Sequence, residues 1–284
     1  MAINKHKIDE TAIEQAIANA LEEFYNSLLA KIDKININDI IKRKNPYLYR
    51  AKAMQDASEI VENVLSATVS SSEETIFGNC FFEPLAIAAS GGNKALAEGV
   101  DIMVEDKSEN TIYAIAVKSG PSVFNADSKK RQEQNFNAAR KLAQQAKAIY
   151  EPIIGYSYGK KRTTGRGKPT IYRELAGQDF WEELTGDSDF YLKIIDYMGN
   201  KPEQYLEKYQ ESYSKASNRL VMQFTNSFCD EDGSINWNKL VMFNSGYSDS
   251  TRLTTGNVKN AVSDSYIEKA AEVVSPYTAD RGEK

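Results

Sequence analysis

Residues 99–121 read GVDIMVEDKSENTIYAIAVKSGP. Two short runs rich in β-formers, Val100 to Glu105 and Thr111 to Lys118, flank the polar stretch Asp106 to Asn110, a pattern that predicts a β-hairpin. Side chains alternate across a strand, so Ala114, Ala116 and Lys118 share one face while Tyr113, Ile115 and Val117 share the other. With the turn centred on Ser108, Asp101 falls opposite residue 115 or 116. An acid and a lysine then meet on one face at one end of the hairpin. Gly120-Pro121 ends the second strand and leaves Lys118 at its tip. A carboxylate able to hold a divalent cation, beside an ammonium able to stabilise charge, suits phosphodiester hydrolysis. The spacing by itself also describes many ordinary hairpins, in which the aspartate faces the turn and the lysine is an exposed strand end.

Outward from the hairpin the pattern turns helical. Ile8, Ile13, Ile17, Leu21, Phe24 and Leu28 recur at helical steps. A second helix is expected from Asn45-Pro46 through Met54, Ile60, Val64 and Leu65. Ser70 to Ser72, followed by Glu73 and Glu74, resemble a capped helix start, with the new helix carrying Phe77, Phe81, Leu85 and Ala88 and stopping at Gly91-Gly92. After the hairpin, Gln132 to Tyr150 is expected to be helix and Pro152 to Tyr158 a buried strand. Gly177 to Leu184, Tyr191 to Tyr197 and the long stretch Pro202 to Phe228 are expected to be helical. Ile235-Asn236-Trp237 reads as a strand edge or a helix start. The fold class expected is α/β, a mixed sheet whose hairpin is flanked by helices, with helical additions at both termini. We read one domain over 1–284, divided into a helical N-terminal part (1–69), a core (70–200), a helical C-terminal part (201–246) and a polar tail (247–284).

Composition narrows the chemistry. With 41% hydrophobic residues in 284, the chain can bury a large core, and disorder is not expected. No apolar run is long enough for a membrane span and no signal peptide is legible, so a cytoplasmic protein is expected. The two cysteines, Cys80 and Cys229, are far apart and suggest neither a disulfide nor a zinc site. His6 is the only histidine, which removes mechanisms built on a histidine base in the body of the protein. Net charge is −5, yet Lys129 to Arg173 holds twelve basic residues against Glu133 and Glu151, a local +10. Part of that run is the Gly/Thr-rich stretch Gly159 to Lys168, whose small residues let backbone amides approach phosphates. Lys130, Arg131, Lys160, Lys161, Arg162, Arg166 and Lys168 are therefore candidates for DNA contact.

Asp101 followed by Ala116-Val117-Lys118 resembles the PD-(D/E)XK nuclease core, an aspartate followed by an acid two residues before a lysine. The ordered blocks NPYLYR (45–50), SSEETIFGN (71–79), AEGVD (97–101), VKSGP (117–121), KRQEQNF (130–136) and GQDFW (177–181) resemble PmeII-type type II restriction endonucleases. The resemblance spans about residues 45–246. It implies an enzyme that cuts duplex DNA at a short site, uses Mg2+, works as a homodimer and is paired with a DNA methyltransferase. It also implies Asp101 and Lys118 as catalytic residues, with Gln132 or Gln134 on the following helix in support. One position departs from the pattern: where the superfamily has Asp or Glu, this chain has Ala116, which offers a metal only its backbone carbonyl. Glu74 is the preferred replacement carboxylate and metal ligand, Glu98 the second candidate, and Glu73, roughly 100° away around the helix, the less suited one. Three other readings stay open: a DNA-binding protein with a decayed site, a repair or structure-specific nuclease on the same fold, and a protein without a nucleic-acid partner. Phe180, Trp181, Trp237 and tyrosines 205, 209 and 213 are expected to pack, and a subunit interface is one place offered for the last four.

Overall fold

The structure is a computed structural model and describes residues 2–4, 8–161 and 171–246. His6, Arg162, Arg166, Lys168 and the tail 247–284 lie outside the described residues. In chain order the elements are α1 (Glu10–Lys34), α2 (Ile37–Ile41), α3 (Pro46–Ala51), α4 (Ala57–Cys80), α5 (Phe82–Ser90), β1 (Asn93–Lys94), β2 (Ile102–Asp106), β3 (Thr111–Lys118), α6 (Ala126–Gln145), β4 (Ile149–Tyr156), β5 (Arg173–Ala176), α7 (Gln178–Thr185), α8 (Phe190–Met198), α9 (Glu203–Phe228) and α10 (Trp237–Ser245).

The five strands form one mixed sheet in sequence order. β1, β2 and β3 run antiparallel, while β3, β4 and β5 are parallel. The expected hairpin is present, pairing Ile102 with Ile115 and Asp106 with Thr111. Asp106 Oδ1 closes its turn by accepting from Ser108 N and Ser108 Oγ. Alternation sorts β3 onto two cores: Ile115 and Val117 pack with Phe81, Leu85, Phe180 and Trp181, while Ala114 and Ala116 pack with Phe136 and Ala139 of α6. Helices thus cover both sheet faces, with α5 and α7 on one and α6 on the other. A third core, away from the sheet, joins the second half of α1 and the first half of α4 to α9 and α10.

Several boundaries differ from expectation, each for a local reason. Ser70 to Ser72 do not start a helix; α4 begins at Ala57, capped by Asp56, whose side chain accepts from Ser58 N at 2.8 Å. The hydroxyls along α4 are absorbed by the helix itself: Thr68, Ser72 and Thr75 donate to the carbonyls four residues back. The division at residue 69/70 therefore falls inside a continuous helix. The helix expected over Phe77 to Ala88 is instead broken at Phe81, because Pro84 has no N–H to offer the Cys80 carbonyl and its ring would crowd it. A helix does start at Asn45-Pro46 as expected, with Asn45 as its cap, but it stops at Ala51, and Ala53 takes a left-handed φ of 57°. α6 starts at Ala126, six residues before the expected start, and Tyr150 belongs to β4. Both readings of Ile235 to Trp237 hold in part, since Ile235 bridges Cys229 and Trp237 opens α10. β1, β5 and α2 were not legible. Among the described residues, no helix is long and apolar enough to cross a membrane.

Candidate active site

Asp101 sits just ahead of β2, and the turn before it is tightly built. Gly99 has φ of 69°, a conformation that favours glycine, and a Cβ there would run into the Asn135 side chain of α6. Gln132 of α6, buried, donates through Nε2 to Gly99 O at 2.6 Å. The Asp101 backbone is pinned on both sides, its N–H donating to Ile115 O at 2.9 Å and its carbonyl accepting from Ala95 N at 3.0 Å.

Across the hairpin, Lys118 Nζ lies 3.3 Å from Asp101 Oδ2, and the two side chains are 28% and 22% exposed. The same Oδ2 accepts from Val117 N at 2.6 Å, and Lys118 Nζ also donates to Val117 O at 3.0 Å. This contact set corrects one detail of the sequence reading. Successive carbonyls of a strand point to opposite neighbours. Lys118 O accepts from Ser157 N beyond β4 at 2.8 Å, so the Ala116 carbonyl, two residues earlier, also faces β4. The carbonyls facing Asp101 are those of Ile115, which accepts its N–H, and Val117, beside Lys118 Nζ. Ala116 is fully buried under α6 and brings neither a charge nor its carbonyl to the site.

The candidate replacements for the missing acid are dispersed. Glu74 lies on the far side of the β3 end, lining a cavity of about 290 Å3 with Phe77, Gly78, Phe82, Ser119 and Tyr158. Gly78 lets α4 approach there, since a Cβ would collide with Ser119 Oγ. Glu73 is engaged elsewhere, accepting from Tyr209 Oη at 2.9 Å. Burial and that carboxylate push the Tyr209 hydroxyl well above its ordinary pKa. Glu98 is exposed on the turn. Among the described residues, no three Asp, Glu, His or Cys side chains come close enough to hold a metal together.

Two further charged groups were not legible. Lys94 of β1, paired with Glu83 of α5 at 2.9 Å, is held above the ordinary lysine pKa by the Glu83 hydrogen bond and charge against a small burial penalty, with Asp101 adding to the effect. On β5, Glu174 joins the two basic segments. It pairs with Lys161, lies 3.4 Å from Lys129 and accepts from Tyr156 Oη at 3.0 Å. Burial would raise the Glu174 pKa, but the bonds from Lys161 and Tyr156 and the charges of Lys161 and Lys129 outweigh it and hold the carboxyl below its usual range. β5 brings this group onto the α6 face, in register with Ile154, which itself pairs Ala116. A four-residue strand without alternation carries no sequence signal.

The remaining predicted residues divide by exposure. Gln132 supports the Asp101 turn, whereas Gln134 points outward and is exposed. Lys130, Arg131 and Lys160 are exposed, and Lys161 is partly buried against Tyr156, with Nζ 4.8 Å from its ring centroid. Phe180 and Trp181 are core, and Trp181 Nε1 donates to Ser157 O at 2.8 Å. Trp237 packs partly buried beneath Arg50. Tyr205 stacks on Tyr25, and Tyr209 and Tyr213 bond Glu73 and Glu62, so they clamp α9 to α1 and α4 within the chain.

Comparison with known proteins agrees with this geometry at the level of family. The comparison with curated proteins finds no match. The family model described as type II restriction endonuclease EcoO109I matches residues 11–205, from α1 through the sheet and both its helical layers to the start of α9. That span is more than half of the 284 residues and includes Asp101 and Lys118, and the chain accordingly belongs to the EcoO109I family of type II restriction endonucleases.

Proposed function

We propose that this restriction endonuclease hydrolyses duplex DNA at a specific site with a PD-(D/E)XK-type centre built on Asp101 and Lys118, and that it depends on Mg2+. The observation that carries the reading is the Asp101–Val117–Lys118 contact set at the open end of the hairpin. Both hydrogen bonds to Asp101 fall on Oδ2, and Oδ1 receives none among the described residues. Asp101 Oδ1 and Val117 O are hard oxygen donors on one side of the hairpin. Mg2+ is commonly held by one or two carboxylates, with waters and substrate phosphate oxygens completing its shell, so a single aspartate fits. Bound there, Mg2+ would supply Lewis acidity at the phosphate and lower the pKa of water.

The protein's own groups do the rest. Val117 N fixes the Asp101 carboxylate, and Gln132 fixes the turn that carries it, with Asn135 close against Gly99. Lys118, held between Asp101 and the Val117 carbonyl, directs an ammonium at the strand tip, where it stabilises the charge that builds on the cleaved phosphate or orients the attacking water. Glu74 is the carboxylate we retain as an outer contributor, reaching the phosphate from the α4 side. Recognition of a short, near-palindromic site by a homodimer follows from twofold matching between protein and DNA. A companion methyltransferase would protect the host sequence.

The test is cleavage of a mixed-sequence plasmid with Mg2+ and with EDTA. Discrete Mg2+-dependent fragments are expected, and Asp101→Ala and Lys118→Ala should each reduce cleavage by about 10²-fold or more. A smear would move the reading to a nonspecific or structure-selective nuclease. A second reading, DNA binding without cleavage, is favoured by the buried Ala116; intact plasmid across many sequences, together with salt-dependent binding, would establish it.

A further inference from the structure

A groove of about 690 Å3 between α1, α2 and the middle of α4 lies apart from the Asp101–Lys118 site and from the basic segment 129–173. It presents four cations, Lys31, Lys34, Arg43 and Lys44, beside the hydroxyls of Ser71 and Ser72. Its one acid, Asp39, lies 3.7 Å from Lys42, which is not part of the lining. Among the described residues, none of the four cations has a carboxylate partner. In a chain of net charge −5, such a concentration of unpaired positive charge is a local feature that core packing does not require.

We propose that this groove binds the sugar–phosphate backbone of duplex DNA flanking the cleaved phosphate, an inference that rests on the DNA-cleaving reading above. Charge complementarity and position both support it. Ala67, Ser71, Glu74 and Gly78 form one stripe along α4, at helical steps of four, three and four. The stripe begins in the groove and ends against Ser119, the neighbour of Lys118. From Ser71 to Gly78 the helix rises about 10 Å. Duplex DNA advances about 3.4 Å per base pair, so that rise corresponds to about three base pairs. A duplex that has its reacting phosphate at Lys118 and runs along α4 passes phosphates over the groove within a few nucleotides. Glu74, the one acid on the stripe, lies on the side nearer the site.

The measurement is fluorescence anisotropy of the full-length protein with a mixed-sequence duplex in EDTA, across a salt series. The variant Lys31→Ala/Lys34→Ala/Arg43→Ala/Lys44→Ala should bind about tenfold or more weakly and lower the slope of log K against log salt by about 2–4, because each phosphate contact contributes about 0.9. The charge-matched control Lys107→Ala/Lys193→Ala/Lys208→Ala/Lys239→Ala, at exposed lysines outside both the groove and the basic segment 129–173, should keep the wild-type slope. Ser71→Glu/Ser72→Glu leaves the cations in place and should weaken binding likewise, with thermal melting showing that each variant is folded. If wild type binds and the groove variants behave like the control, the groove proposal is overturned and the nuclease reading stands. If wild type does not bind duplex even at low salt, the nuclease reading falls and the groove with it.

Discussion

Ala116 stands where the nuclease pattern has an acid, and its surroundings explain why no carboxylate could be restored there cheaply. It is fully buried against Phe136, Ile154 and Tyr156, with α6 closed over it. Ala116→Glu should lower stability by at least about 2 kcal/mol, from overpacking and a desolvated carboxylate, without raising cleavage; a urea midpoint equal to wild type with faster cleavage would show that α6 leaves room for the acid after all. Gln132 makes the opposite case, a polar side chain buried for a purpose. Removing its bond to Gly99 O in Gln132→Ala should cost about 1–2 kcal/mol. It should also slow cleavage about tenfold while leaving DNA affinity unchanged, since the bond fixes the turn of Asp101 and not the DNA surface. Equal losses in binding and cleavage would argue instead for a general loss of fold. Asp101 and Lys118 were legible because alternation and turn length are local. The choice of Val117 over Ala116 as the facing carbonyl was not, because turn length left Asp101 opposite residue 115 or 116, and only the hairpin register, with Asp101 N bonded to Ile115 O, decides which carbonyls turn toward it.

At the scale of elements, the sequence reading recovers what is long and periodic and loses what tertiary contacts decide. The hairpin, α1, α7, α8 and α9 appear close to where periodicity placed them. β5 escaped because its side of the sheet is defined by partners: its Arg173 spans to Glu151 and Glu183, and its Glu174 to Lys129 and Lys161. Gly155 shows the same dependence, since a Cβ there would overlap the Phe180 ring and α7 could not pack on β4. The Glu174 cluster ties the start of α6, β4 and Lys161 into one junction, and its electrostatics have a testable sign. The folded pKa of Glu174 lies below its ordinary value, so the stabilisation is complete above the ordinary carboxylate range and is lost as pH falls through the folded value. Glu174→Gln should therefore be less stable than wild type at neutral pH, and the gap should close as pH drops below about 4.5. Denaturant midpoints across an acid pH series measure this. A gap that persists unchanged in acid would mean that shape, and not charge, holds the junction.

For the molecule as a whole, the question is whether the helical part made by α2, α3, α9 and α10 folds as a unit separate from the sheet. Two long helices argue that it does not. α1 buries Ile13, Ile17, Ala20 and Leu21 in the sheet core and Leu28 and Ile32 in the helical core. α4 does the same in reverse, placing Ile60 to Val69 in the helical core and Phe77 against the sheet core. Separating the two cores would fracture both helices at their centres, breaking backbone hydrogen bonds and exposing apolar side chains on either side of each break. The helical core and the sheet core on the α5–α7 side hold one tryptophan each, the half-buried Trp237 and the fully buried Trp181. Single-tryptophan proteins made with Trp237→Phe or Trp181→Phe therefore report on the two cores independently. Their urea transitions, each corrected for the stability change of its own substitution, should share one midpoint and one slope, which is the signature of a single cooperative unit. A Trp237 transition that precedes the Trp181 transition would instead make the bundle an independent body, and α1 and α4 would then be jointed near Leu21–Leu28 and Val69–Phe77 and not continuous struts.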